Sequence, residues 1–277
     1  MYERPYSYYG TRTGGRGCSG RLIFALLIAG VSLFSYFSSR QDNPVTGETQ
    51  YIDITPDQEI AMGLQAAPEM EAEFQGEDPN QNDQVTVDQI GNTIVQSSPA
   101  GQTPYQYDFH LLADQQTVNA FALPGGQVFL TRALYDLLQS SGELAGVLGH
   151  EISHVVARHS AEQIAKTKLT DGLTGAAVIA TYDPNNPASA NSAQVAMLIG
   201  QMINLKYSRD DELEADRYGV CFMNDAGFDP NDMIKVMQVL QSLDQGGDTP
   251  EFFSTHPNPA SRITRIQEAI QNISSCP

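Results

Sequence analysis

Hydrophobic and polar residues follow distinct patterns along the chain, and these patterns predict one folded α+β domain behind an apolar segment. Residues 1–21 have no apolar period and are rich in Tyr, Gly and Arg, which predicts a disordered tail. Residues 22–39 carry no charge, and residues 40–54 are expected to form a linker. Residues 55–277 alternate between helical and strand periods, as expected of a folded domain.

The uncharged segment admits more than one interpretation. A membrane-spanning helix needs about 20 apolar residues and a signal-peptide core about 7–15. The run from Leu22 to Phe37 falls between the two, and no Ala-x-Ala cleavage site follows it. An uncleaved anchor is therefore favoured over a cleaved signal. A buried core helix is disfavoured because Arg21 and Arg40 bracket the run.

Within the domain, strand and helix patterns occur in a clear order. Tyr105 to Leu112 alternates as a strand, and residues 118–123 and 127–131 flank a Pro-Gly-Gly turn, which predicts a strand pair. Residues 170–204 are rich in Ala, Gly and Ser, and we expect two helical pieces that pack normally or cover a cleft as a lid. Other helices are predicted at about 55–76, 86–97, 132–139, 142–167, 208–226, 230–243 and 259–273.

Charge is distributed unevenly about the apolar segment. The net charge is −18, but residues 1–40 hold five Arg and one Glu, whereas residues 41–277 hold 10 basic and 32 acidic residues. The positive-inside rule then predicts a cytoplasmic tail and a domain outside the cytoplasm, and opposes an active site facing inward. The acidic domain also argues against nucleic acid as a partner.

The sequence His150-Glu151-Ile152-Ser153-His154 carries the main chemical signal. Ser140 and Glu143 predict a capped helix start just before it. A spacing of four residues places His150 and His154 on one helix face, where their imidazoles can hold Zn²⁺. Glu151 lies beside that face and could take a proton from a metal-bound water.

A catalytic zinc needs a third protein ligand, and an acidic helix downstream offers candidates. Glu212 and Asp216 are four residues apart and share a face, so Glu212 is the predicted ligand and Asp216 its supporting residue. Glu214 should point about 160° away from that face. By the same helical geometry, His159 should lie about 140° around its helix from His154, away from the zinc.

These motifs together resemble the gluzincin zinc metallopeptidases of family forty-eight. The matching elements are H-E-x-x-H, E-x-x-A-D at residues 212–216, N-A-F-x-x-P-G-G at residues 119–126, the approach to the zinc motif at residues 143–149, and the H-P-x-x-x-x-R-I element at residues 256–263. The resemblance covers about residues 55–273. It is greatest to the single-domain periplasmic branch, although the chain lacks the helical repeats of that branch's larger members.

The resemblance implies a mostly helical zincin fold with a small β-sheet whose edge strand borders the cleft. It implies that His150, His154 and Glu212 bind one Zn²⁺ per chain, that Glu151 is the general base, and that Asp216 orients a ligand histidine. His256 matches a late histidine that could latch the zinc or stabilise the transition state, or could simply pack at a helix entry. Asn119 and Ala120 would bind the substrate backbone along the edge strand, unless this is an ordinary edge strand. Arg262 is either a substrate contact or an ion-pair partner.

The expected activity is hydrolysis of protein substrates by a zinc endopeptidase, in the quality control of envelope proteins. The alternative is a zinc-bound chaperone or scaffold with latent proteolysis. Cys221 and Cys276 could pair if the domain lies outside the cytoplasm. The natural substrate and the oligomeric state are left open by the sequence.

Overall fold

The structure is a computed structural model that describes residues 17–181, 207–245, 250–256 and 261–276. Its contacts divide the chain into two compact units. The first comprises residues 1–35 and 168–202, and the second comprises residues 36–167 and 203–277. Most of the predicted tail and the second helical piece of residues 170–204 lie outside the described residues.

The apolar segment of the first unit is helical. Helix α1 (Gly17–Ser38) begins within the predicted tail, four residues before Arg21. Its residues 20–38 have a mean hydropathy of 1.8, and they are long and apolar enough to cross a membrane. A signal sequence meets the same criteria, so the anchor and signal interpretations both stand.

Residues 40–54 form a hairpin rather than a simple linker. Strands β1 (Arg40–Asp42) and β2 (Thr49–Tyr51) pair antiparallel. Asn43 at the turn is buried, and its amide donates to the backbone oxygen of Val156 at 2.9 Å. The buried side chain of Gln50 donates to the backbone oxygen of Ala157. The hairpin thus packs on the end of the helix that carries the H-E-x-x-H motif, which no local pattern indicated.

The three-stranded sheet confirms the predicted strand pair. Strands β4 (Ala120–Ala122) and β5 (Gln127–Thr131) are antiparallel, and β3 (Asp108–Leu112) lies parallel to β5 on its other side. The predicted strand from Tyr105 therefore begins three residues later. In the turn, Gly125 has φ +86°, and a Cβ there would overlap the backbone of Ile60. The Pro-Gly-Gly turn thus allows close contact with helix α2 (Pro56–Glu73), which carries Ile60.

Helices supply most of the remaining structure. The helix predicted at residues 86–97 begins five residues earlier, at Gln81, because Asn80 caps it. The predicted helix of residues 142–167 is interrupted at Ala157 and Arg158. The helices are α2 (Pro56–Glu73), α3 (Gln81–Ser97), α4 (Arg132–Tyr135), α5 (Ser141–Val156), α6 (His159–Thr181), which extends into the first unit, α7 (Arg209–Asp225), α8 (Asn231–Gln245), α9 (Phe252–Thr255) and α10 (Arg262–Gln271).

A central helix and a disulfide organise the second unit. Helix α5 is buried along almost its whole length and packs against α7, α8 and α3. Cys221 on α7 forms a disulfide with Cys276, which ties the end of the chain to the acidic helix. The fold is mostly helical with small sheets, as the zincin prediction requires.

Candidate metal centre

Helix α5 presents the H-E-x-x-H residues inside the protein. The side chain of Ser140 accepts a hydrogen bond from the backbone N–H of Glu143, and the Glu143 carboxylate accepts from the N–H of Gln139. The helix start is therefore capped as predicted. The Glu143 side chain bonds to the backbone of Gln139, one residue before the N-cap Ser140. His150 and His154 are 4% and 1% exposed, and their Nε2 atoms lie 3.1 Å apart.

Helix α7 brings the carboxylates to the same place. Ser208 and Asp211 form a reciprocal capping box at its start. A Cβ at Gly219 would lie 3.2 Å from the backbone nitrogen of His150, so the absence of a side chain lets α5 and α7 approach closely. Glu212 and Asp216 consequently face the histidines and are 0% and 1% exposed.

The spacing of the donor atoms fits a metal ion. Nitrogen ligands 2.0–2.1 Å from a tetrahedral zinc lie about 3.3 Å from one another. Glu212 Oε2 lies 3.5 Å from His150 Nε2, and Glu212 Oε1 lies 3.4 Å from His154 Nε2. With the 3.1 Å between the two Nε2 atoms, these distances are close to the separation of two ligands of one zinc ion, and they involve both oxygens of the Glu212 carboxylate. One donor atom from each of His150, His154, Glu212 and His256 lies within 4.8 Å of the other three.

The charges of the site also favour a cation. Glu151, Glu212 and Asp216 are all buried, with Arg262 as a buried counter-charge. If the three carboxylates are ionised and the histidines neutral, about two negative charges remain to be compensated, because buried charges require partners. A divalent cation held by the two Nε2 atoms and Glu212 would compensate them.

Glu151 lies beside the donor atoms. Its side chain is fully buried, and neither carboxylate oxygen has a hydrogen-bond partner among the described residues. Burial raises the pKa of Glu151, and the nearby His256 offsets only part of that rise. A carboxylate with a raised pKa is better matched to proton transfer near neutral pH than an exposed one.

Asp216 orients a histidine and is itself held by Arg262. Asp216 Oδ1 lies 3.0 Å from His150 Nδ1, and Arg262 donates to both carboxylate oxygens at 2.7 and 2.6 Å. Burial alone would raise the pKa of Asp216, but the guanidinium and the histidine hold it below its ordinary value. Arg262 is 0% exposed and also lies 2.9 Å from Glu212, so the structure favours the ion-pair role over the substrate contact.

His256 lies directly beside the donor atoms, with its Nδ1 3.4 Å from Nε2 of His150. Its Nδ1 lies 2.9 Å from Glu212 Oε1 and its Nε2 lies 3.7 Å from Glu151 Oε1. The ring stacks on Phe252 at 4.4 Å between centroids and is 0% exposed. His256 therefore points at the metal donors rather than merely packing at a helix entry.

One helical projection from the sequence is wrong. His159 was expected to point away from the zinc face, but its Nδ1 lies 2.9 Å from Nδ1 of His154. Glu214 is not one of the four grouped donor residues, and it contacts Nε2 of His159 at 3.4 Å. The projection of His159 fails because of the interruption at Arg158, whose φ of +58° ends α5 and redirects the chain. An uninterrupted helix cannot bring residues five apart into contact in this way.

An apolar groove of about 540 Å³ runs from the metal donors along β4. Asn119 is 3% exposed and its backbone pairs with Thr131. In the antiparallel pair, odd-numbered residues of β4 bond with β5, so the backbone groups of Ala120 and Ala122 point to the outer edge, which no other described strand covers. The lining side chains include Met62, Met70, Phe74, Phe121, Ile164 and Tyr207.

Tyr207 is a site residue that motif reasoning missed. Its ring stacks on His154 at 4.2 Å, and its hydroxyl bonds with that of Ser160 at 2.8 Å. The available signal was its position directly before the capping box of α7. A residue next to that helix start lies close to Glu212, which is in the first turn of the helix.

Comparisons with known proteins agree with this geometry. Residues 81–270 match the model of Peptidase family M48. The mitochondrial metalloendopeptidase OMA1 of Schizosaccharomyces pombe is 32% identical over 89% of this chain and 71% of its own length. A putative beta-barrel assembly-enhancing protease of Vibrio cholerae is 36% identical over 66% of this chain but 38% of its own length. Metalloprotease YcaL of Escherichia coli is 31% identical over 65% of this chain and 66% of its own length.

The fold and the buried donor group define a metallopeptidase. The chain belongs to Peptidase family M48 and is a metal-dependent hydrolase of peptide bonds. The chain spans less than half of the Vibrio cholerae protease that it matches.

Proposed function

We propose that the chain is a zinc-dependent endopeptidase that cleaves envelope proteins during quality control. The observation that carries this proposal is the buried set of His150, His154 and Glu212, whose donor atoms lie 3.1–3.5 Å apart. Beside them lies Glu151, whose carboxylate oxygens have no hydrogen-bond partner among the described residues. Two imidazoles and one carboxylate are a usual donor set of catalytic zinc. The excess negative charge of the site suits a divalent ion.

A bound zinc ion supplies a Lewis acid that activates water and polarises the scissile carbonyl. The protein's own residues handle the proton. Glu151 takes a proton from the attacking water and returns it to the leaving amine, which suits its raised pKa. Asp216 holds His150 through Nδ1, and Arg262 holds Asp216 in turn.

His256 has two proposed roles. Its contacts with Glu212 and Glu151 suit a latch that limits access to the metal. The same position suits a donor to the negative charge that develops on the carbonyl oxygen. Replacing His256 with Ala distinguishes the roles, because removal of a latch raises activity whereas removal of a donor lowers it.

The groove beside the site favours extended polypeptide as the substrate. The outer edge of β4 at Ala120 can pair with a substrate backbone. Asn119 lines the groove together with His256. Neighbouring apolar side chains would take apolar substrate residues, which misfolded proteins expose. Five relatives are named for beta-barrel assembly, which suggests clients in the bacterial envelope.

The domain is proposed to lie outside the cytoplasm, anchored by α1 or released if that segment is cleaved. The basic tail and the acidic domain agree with that orientation. The disulfide between Cys221 and Cys276 is typical of an oxidising compartment. External protease added to intact cells or spheroplasts tests this orientation, since a protected domain would contradict it.

The test of function is zinc content and casein cleavage by the full chain in detergent. Glu151→Gln should retain one zinc per chain and lose cleavage, because the amide cannot accept the proton. Glu162→Gln, on α6 and paired with Lys166, is the matched control and should cleave like the wild type. Full activity of Glu151→Gln would contradict the mechanism.

The alternative function is a zinc-bound chaperone, and the position of His256 at the donors favours it specifically. Such a protein would bind unfolded casein without cleaving it, even in the His256→Ala variant. Cleavage by either the wild type or that variant establishes the protease.

A further inference from the structure

A chain of hydrogen-bonding groups leads away from one metal ligand. The Nδ1 atoms of His154 and His159 lie 2.9 Å apart, and Nε2 of His159 lies 3.4 Å from Oε2 of Glu214. His159 is 1% exposed, whereas the Glu214 side chain is 22% exposed. The chain therefore runs from the buried site towards the surface.

The donor and the acceptor of each bond follow from the side of His154 that faces the metal site. His154 uses Nε2 towards Glu212 and His150, so a metal ion would be held by that nitrogen. A neutral imidazole with Nε2 as the ligand carries its proton on Nδ1, which must donate. His159 Nδ1 then accepts, and the proton of His159 sits on Nε2, facing the carboxylate of Glu214. Each ring is thus restricted to one tautomer.

The backbone is built to hold His159 in this place. Arg158 adopts the left-handed conformation, and its guanidinium pairs with the buried Glu59 and donates to the oxygen of Ile54 at 2.9 Å. Helix α6 starts at the next residue, so His159 turns back over the end of α5. Tyr207 stacks on the His154 ring and limits its rotation.

The two ligand histidines are supported differently. His150 Nδ1 lies 3.0 Å from a carboxylate oxygen of Asp216, whereas His154 Nδ1 faces a second imidazole, which in turn faces the carboxylate of Glu214. Partners of this kind orient metal ligands and contribute to metal affinity. We propose that His159, backed by Glu214, is a positioning residue that fixes the tautomer and ring plane of His154 and so tightens metal binding. This inference rests on the proposed zinc site.

The experiment measures zinc affinity of the full chain in detergent by competition with a chromogenic chelator. His159→Leu removes the acceptor and should weaken zinc binding roughly 10–100-fold. His159→Asn should recover most of that affinity, because its Oδ1 can take the place of Nδ1. Glu162→Gln is the control on the same helix, since Glu162 pairs with Lys166 and not with the site, and it should bind zinc like the wild type.

A second readout separates positioning from general destabilisation. The visible spectrum of the Co²⁺-substituted protein reports ligand geometry, and it should change in His159→Leu and return in His159→Asn. If His159→Leu does not fold, the zinc affinity of Glu214→Leu is measured in its place. A weaker zinc affinity at an unchanged melting temperature agrees with the inference, and an unchanged affinity overturns it.

The two proposals fail in different ways. A wild-type chain that binds no zinc contradicts the proposed function. A wild-type chain that binds zinc, together with a folded His159→Leu variant of equal affinity and equal Co²⁺ spectrum, overturns the role of His159 alone.

Discussion

Replacing Arg262 with Met should destabilise the protein strongly. The guanidinium is 0% exposed, donates to Asp216 at 2.7 and 2.6 Å, and lies 2.9 Å from Glu212. Met fills a similar volume but leaves the carboxylate of Asp216 buried without its partner. Breaking a buried pair in this way costs about 3–5 kcal/mol of unfolding free energy. At about 2–4 °C per kcal/mol for a domain of this size, the melting temperature should fall by roughly 6–20 °C.

Urea unfolding followed by far-UV circular dichroism measures this loss, since the chain has no Trp for fluorescence. Arg265→Met is a matched control on the same helix. Arg265 is 59% exposed and pairs with the exposed Glu268, so its replacement should change stability by about 0.5 kcal/mol or less. The two variants remove the same charge and differ in burial.

The double variant Asp216→Asn, Arg262→Met isolates the pairing. In the double variant Asp216 is no longer left as a buried carboxylate without its guanidinium, so the double variant should lose less stability than the sum of the single changes. An Arg262→Met variant within about 1 kcal/mol of Arg265→Met would refute the reasoning, because it would mean that Asp216 does not depend on this partner.

Two further variants test the scaffold of the site. Cys276→Ser should cost about 2–5 kcal/mol, and reductant should lower the melting temperature of the wild type but not of the variant; equal sensitivity of both to reductant would contradict the disulfide. Arg158→Gly should be more stable than Arg158→Ala by about 1 kcal/mol in urea unfolding, because both lose the pair with Glu59 but only Ala retains the left-handed strain. An Arg158→Ala variant as stable as Arg158→Gly would exclude that strain.

Local patterns predicted those parts of the site that depend on a single helix. The spacing of His150 and His154 places both on one face whatever surrounds α5, and the same holds for Glu212 and Asp216 on α7. The capping residue Ser140 is equally local. These features depend on neighbouring residues along the chain, and the structure agrees with them.

Other parts were missed because they depend on contacts between distant residues. The projection of His159 assumed that α5 continued, and nothing in the apolar period marks Arg158 as a left-handed break. The break is stabilised by Glu59, which lies 99 residues away in sequence. The hairpin within residues 40–54 was missed for the same reason. It packs on the end of α5 through the hydrogen bond from Asn43 to Val156, which is 113 residues away in sequence. The contacts of Arg262 with both Asp216 and Glu212 could not be predicted without knowing where α10 packs.

The left-handed turn at Arg158 connects the substrate side of the groove with the metal ligands. Glu59 on α2 holds Arg158, and a Cβ added at Gly63 on the same helix would overlap the carbonyl oxygen of Pro124. That proline opens the turn that follows β4, whose outer edge is the proposed substrate site. In the other direction, Arg158 directs His159 onto His154. Because α2 contacts both the edge-strand turn and the support of His154, we expect a displacement of α2 to affect the substrate edge and the metal ligand together.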